Sequence, residues 1–242
     1  MNAQRRSSSM GPSIWRHCAV VALAAVLAVA FWLSRMDWTP DMRLWRAVGD
    51  AAALLLFTAL AIGPAAKLWS SAGWLLRWRR AIGVWAGLVA TVHALLVIDG
   101  WAQWSLRRFL GYEFVPQLAR EARMEPGFGL ANLIGLVALV WMLVLVATSS
   151  DRALRFLGPP AWKWIHNGAY VVLYLVVLHA SYYLFIHYTV SFHRLPAPEN
   201  WFRIPFLILG GAVIALQWAA FTRGVRRRRA HGHSGREGAL SR

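Results

Sequence analysis

Three histidines, His93, His166 and His179, lie within stretches that otherwise read as lipid-embedded helix. An imidazole in hydrocarbon is costly and must find a partner, so such a residue marks a functional site by default. Neutral imidazole is a common metal ligand and a standard axial ligand of haem iron. Two of them at one depth on neighbouring helices would hold one haem, the arrangement of a membrane-embedded b-type cytochrome.

Six apolar runs approach the roughly 20 residues that a helical span requires. They fall near 17–34, 47–67, 82–104, 128–148, 164–187 and 203–222. The third and fifth then run in the same direction. At about 1.5 Å per residue, His93 lies roughly 17 Å into its helix, His179 about 22 Å and His166 only about 3 Å. His93 and His179 therefore form the level pair. His166 lies near the opposite face, and on a straight helix it is turned roughly 140° from His179. At its level the third helix offers Arg79 and Arg80, poor iron ligands but good partners for haem propionates or a flavin phosphate.

Composition agrees with lipid as solvent. The chain has 242 residues, 58% hydrophobic and only 15% charged, against about 25% charged in soluble domains. Its net charge of +16 does not trace a nucleic-acid groove, because the arginines cluster between the apolar runs as topology signals. One face collects 17 Lys and Arg and the other 9, together with eight of the ten acids. The positive-inside rule thus places both termini in the cytoplasm. Residues 1–16 and the basic 223–242 read as cytoplasmic tails, and 17–222 as one all-α six-helix transmembrane domain. The Arg226–Arg229 cluster reads as an orientation signal in contact with anionic lipid.

Cys18 is the single cysteine, which excludes an internal disulfide, a covalent C-x-x-C-H haem site and a Cys-ligated iron–sulfur cluster. The first apolar run continues through Phe31-Trp32-Leu33, long for a cleaved leader, and reads as a retained helix. Asp50 and Asp99 read as solvated helix-end residues, and His187 and His193 as interfacial. Gly83, Gly87 and Gly168 would admit a flat macrocycle, or equally an ordinary helix contact. The outer connection 99–127 reads as an aromatic belt with a short surface helix, or as a docking surface for an external partner. No internal repeat is evident.

Several stretches together carry a resemblance. They are Arg79-Arg80-Ala81-Ile82-Gly83-Val84-Trp85 leading to His93, Ala147-Thr148-Ser149-Ser150, and Leu157-Gly158 through Trp162 to Ile165-His166-Asn167. Tyr170 and His179 follow, with Gly49 and Ile62-Gly63-Pro64 on the second helix. Over roughly 45–225 the chain resembles the ferric reductase-like transmembrane superfamily. Within that it is most similar to the haem-binding membrane subunits of bacterial protein-methionine-sulfoxide reductase systems.

The resemblance implies an electron-transfer subunit holding haem b on His93 and His179. His166 is then a further ligand or cofactor contact, and Arg79 and Arg80 are anion contacts. Larger members hold a second haem through a second histidine on the third helix; here the matching positions are Arg79 and Arg107. It implies a cytoplasmic flavin reductase or a membrane quinol as donor, with FMN a candidate cofactor at the inner face. A periplasmic molybdopterin-containing methionine-sulfoxide reductase would be the acceptor. Two alternatives stay open: a stand-alone ferric or cupric reductase, and a non-redox transporter or structural subunit whose histidines only bond other helices.

Overall fold

The computed structural model describes residues 11–123, 126–187 and 200–240. Six of its segments are long and apolar enough to cross a membrane: Ile14–Leu33, Pro40–Leu68, Ser70–Ala102, Gly127–Ala147, Asp151–Ile186 and Arg203–Arg229. They fall on the six runs expected from the sequence.

Helix α1 (Gly11–Leu33) packs on α2 (Pro40–Leu68) and α3 (Leu76–Leu96). Val20, Ala24 and Phe31 are among its buried residues. Helix α2 is the centre of the bundle. Pro40 starts it, where a missing N–H costs nothing, and the run Ala51-Ala52-Ala53 gives it a slim waist that neighbours approach closely. Its membrane window is 56% buried, whereas those of the other five spans are 17–22% buried. A 3₁₀ turn, Ser70–Leu75, leads from α2 into α3.

The connection after α3 is more structured than expected. It holds the short α4 (Leu106–Phe109) and a two-stranded hairpin, β1 (Tyr112–Val115) against β2 (Arg120–Arg123), with Tyr112 opposite Arg123. The hairpin corrects the all-α expectation. Its strands are four residues each, too short and too mixed in charge to show a sheet period.

Helix α5 (Pro126–Ala147) descends beside α3 and α7 (Ala169–Ser181). Between α5 and α7 lies α6 (Asp151–Asn167), broken at Gly158 and followed by Pro159-Pro160. Gly158 adopts φ +74°, a conformation that interrupts the ladder, so α6 is itself kinked ahead of the fifth run, and that run is divided between α6 and α7 at Gly168. Helix α8 (Arg203–Leu240) packs on α2 and α7.

Helices α3 and α7 both change pitch just beyond His93 and His179. Four residues after His93, α3 opens into a π-turn, Val97–Ala102; three residues after His179, α7 does the same over Tyr182–Ile186. Single π-turns of this kind often lie beside functional sites.

Candidate functional site

A cavity opens between α2, α3, α5 and α7, near the ends of these helices that carry Trp45, His93, Ala131 and His179. His93 and His179 both line it, and His166 does not. The level pair chosen from helix depth shares one space.

Each of the two imidazoles is held in the same way. His93 donates from Nδ1 to the Trp45 carbonyl oxygen at 2.9 Å, and His179 donates from Nδ1 to that of Ala131 at 2.7 Å. A carbonyl can only accept, so Nδ1 carries the proton and the Nε2 lone pair stays available, the tautomer that a metal-binding imidazole needs. Four residues along from each carbonyl stands a glycine. A Cβ on Gly49 would come 2.9 Å from His93 Cε1, and one on Gly135 would come 2.5 Å from His179 Nδ1. Each missing side chain is therefore the slot through which a ring reaches backbone.

The separation from carbonyl to imidazole is 48 residues in both cases. Helix pairs α2–α3 and α5–α7 thus repeat one hook around the cavity, a local duplication where the sequence reading found no repeat. The signal lay in spacing rather than in residue identity: Gly49 precedes His93 by the same interval as Gly135 precedes His179.

His166 is held differently. It stacks on Trp162 with ring centroids 4.0 Å apart, and its Nε2 lies 3.1 Å from Thr148 Oγ1. The Thr148 hydroxyl also lies 2.7 Å from the Val144 carbonyl. That carbonyl takes the hydroxyl proton, so Nε2 of His166 donates to Thr148. Trp162 Nε1 closes the group by donating to the Thr148 carbonyl at 2.9 Å. His166 thus carries its proton on the nitrogen that His93 and His179 leave bare.

Arg79 donates from Nε to the Ala59 carbonyl at 3.3 Å, and Gly63 faces its guanidinium. Arg80 pairs with Asp151 at 2.6 Å on the exposed surface. The candidate macrocycle glycines are occupied by neighbouring helices: a Cβ on Gly87 would meet Val146 at 2.6 Å, and one on Gly168 would collide with the Trp141 indole, while Gly83 looks toward Ala59.

Asp50, read as solvated, and His187, read as interfacial, are both interior. Asp50 lines the cavity and accepts from Arg35 Nη2 at 2.5 Å, with Arg35 only 2% exposed. The sequence reading began the second helix at 47, which put Asp50 at its mouth; the helix begins at Pro40 and carries Asp50 inward. His187 is 5% exposed and lines the cavity too. On a straight α-helix it would be turned roughly 80° from His179, and the extra residue of the π-turn reduces this to about 20°. His193 lies outside the described residues.

Residues 47–177 match the model of the ferric reductase-like transmembrane component. The chain belongs to that family. Among curated relatives, the protein-methionine-sulfoxide reductase heme-binding subunit MsrQ of Ralstonia nicotianae is 31% identical over 69% of this chain and 70% of its own length. That of Azospira oryzae is 32% identical over 63% of this chain and 59% of its own length. That of Polaromonas naphthalenivorans is 25% identical over 85% of this chain and 82% of its own. The chain thus spans less than two thirds of the Azospira relative. The family match begins just after Trp45 and stops two residues short of His179, so it covers His93 and His166 but not His179.

Proposed function

We propose that this chain is a haem b membrane subunit that carries electrons across the bacterial inner membrane. It would hand them to a periplasmic molybdenum methionine-sulfoxide reductase that repairs oxidised proteins. The observation that carries the reading is the paired hook: two imidazoles in one cavity, each fixed through Nδ1 and each with Nε2 without a hydrogen-bond partner among the described residues. The donor set and the glycine slots fit a bis-histidine macrocycle, and the similarity to MsrQ heme-binding subunits supports the same cofactor.

His93 and His179 would hold the iron, and the Trp45 and Ala131 carbonyls would fix their tautomer and raise their basicity. When bound, haem supplies a one-electron couple whose potential follows from axial ligation, burial and nearby charge. The chain's own part is to exclude water with Leu56, Leu139, Met142 and Phe206, which line the cavity. Arg46 and the Arg35–Asp50 pair set the local charge.

Arginine distribution supports cytoplasmic termini, which puts the cavity in the outer half of the membrane. Electrons would arrive at the inner face from a flavin reductase or from quinol. His166, Arg79 and Arg80 are the candidate contacts there, with FMN the candidate group. His187 lies in the cavity wall, so it adds nothing to the alternative of a stand-alone reductase of external metal ions.

Oxidised and dithionite-reduced spectra of the detergent-purified protein test this, alongside His93→Ala, His179→Ala and His166→Ala. A b-type spectrum lost in the first two variants and kept in the third is expected. A colourless wild type after expression with ample haem would overturn the reading and leave the histidines as helix contacts.

A further inference from the structure

At the outer end of the cavity, Tyr183 is gripped on several sides. Its ring meets the His179 ring edge-on at 5.2 Å. The Arg46 guanidinium lies 5.2 Å from its ring centroid, and Arg46 Nη2 reaches its carbonyl. Its hydroxyl donates to Asn132 Oδ1. Asn132 is 6% exposed and uses its other end as well, donating from Nδ2 to the Phe109 carbonyl at 2.7 Å. Phe109 closes α4, in the outer connection. Close by, Gly129 lets the Leu110 backbone lie directly on α5; a Cβ there would stand 2.5 Å from the Leu110 carbonyl oxygen.

Asn132 thus has both ends of its amide engaged. It also follows Ala131, whose carbonyl holds His179. A buried amide serves two partners at once only where the elements on either side are fixed relative to each other, and losing either bond strands a polar group. Here the two elements are the external segment 106–123 and the helix that carries His179.

We propose that Asn132 and Tyr183 form a positioning clamp for His179. Tyr183 sets the plane of the imidazole, and Asn132 anchors Tyr183 to α5 and to the external segment above it. This rests on the haem reading. The clamp goes beyond it by assigning a role to two cavity residues that are not themselves iron ligands. The plane and hydrogen bonding of an axial imidazole tune the iron's reduction equilibrium, so the clamp has a spectroscopic readout that a merely structural pair would lack.

The experiment compares wild type with Tyr183→Phe, Asn132→Ala and the double variant, all as purified full-length chains. Haem content, the low-spin electron paramagnetic resonance signal and the reduced-to-oxidised ratio at fixed ambient potential are measured. Expected is full haem content in Tyr183→Phe, with altered g-values and a ratio moved by at least about threefold. The double variant should go no further than the larger single effect, as for two members of one network. Asn132→Ala should also speed tryptic cleavage at Arg107 and Arg108, whether or not haem is bound. Unmoved g-values and ratio in a haem-loaded Tyr183→Phe protein would overturn the clamp alone. A wild type without haem would overturn it together with the reading beneath it, and the tryptic comparison would still report whether Asn132 anchors the segment.

Discussion

Arg35, just beyond α1, and Asp50, on α2, meet at 2.5 Å with almost no access to water. Arg35 also donates to Asn200 Oδ1 at 3.1 Å and lies over the Phe31 and Trp38 rings. This buried pair joins three separate parts of the chain at one end of the bundle.

Breaking that pair on one side leaves a buried charge alone. Asp50→Ala is expected to destabilise the protein by about 3–5 kcal/mol, whereas replacing Arg35 and Asp50 together by apolar residues of similar size should recover most of the loss. Denaturant titration in detergent of the two singles and the double variant checks this. Equal losses in single and double variants would show that packing, not charge pairing, dominates.

Gly49→Ala and Gly135→Ala set two effects against each other. Alanine favours helix by up to about 1 kcal/mol over glycine, but each new methyl would strike a histidine ring. The expected result is a more weakly held cofactor, with haem affinity lower by about fivefold or more, the equivalent of about 1 kcal/mol. Gly211→Ala is the control, since a Cβ there meets nothing within 4 Å. Haem retention during dilution separates the three.

Gly158 has φ +74° and ψ 154°, a region open essentially to glycine alone. Gly158→Ala should cost about 1–3 kcal/mol and act on the α6 kink rather than on the cavity. A lowered unfolding midpoint with an unchanged absorption spectrum is the expected combination.

Orientation has a direct check. An alkaline phosphatase fused after Arg242 should be inactive and a fluorescent protein there bright, while a tag inserted at Gln117 in the hairpin should be labelled from outside intact spheroplasts. The reverse pattern would invert the proposed direction of electron flow.

The six spans and the level pair were legible because hydrophobic length and helical rise are local properties of the chain. His93 and His179 could be matched in depth by counting residues. What held them could not be read in that way. The hooks depend on carbonyls, which every residue carries, and on glycines that look like any small residue at a helix contact. Asp50 was misplaced because the sequence reading began its helix at 47, past the polar Arg43 and Arg46, whereas the helix begins at Pro40. His187 was misplaced because a π-turn is invisible to a fixed 3.6-residue period. His166, set apart by depth and azimuth, lies outside the cavity lining and bonds Thr148 instead.

A π-turn is, in genetic terms, a single-codon insertion that a helix has absorbed. Removing one codon between His179 and His187 would restore regular pitch and leave everything beyond it facing as before, because seven residues of regular helix end at about the same azimuth as eight that include the π-turn. Both histidines would keep their places on the cavity wall. A second codon lost, with no turn left to absorb it, would swing His187 about 100° away, so the reading frame here tolerates one residue of slack and no more.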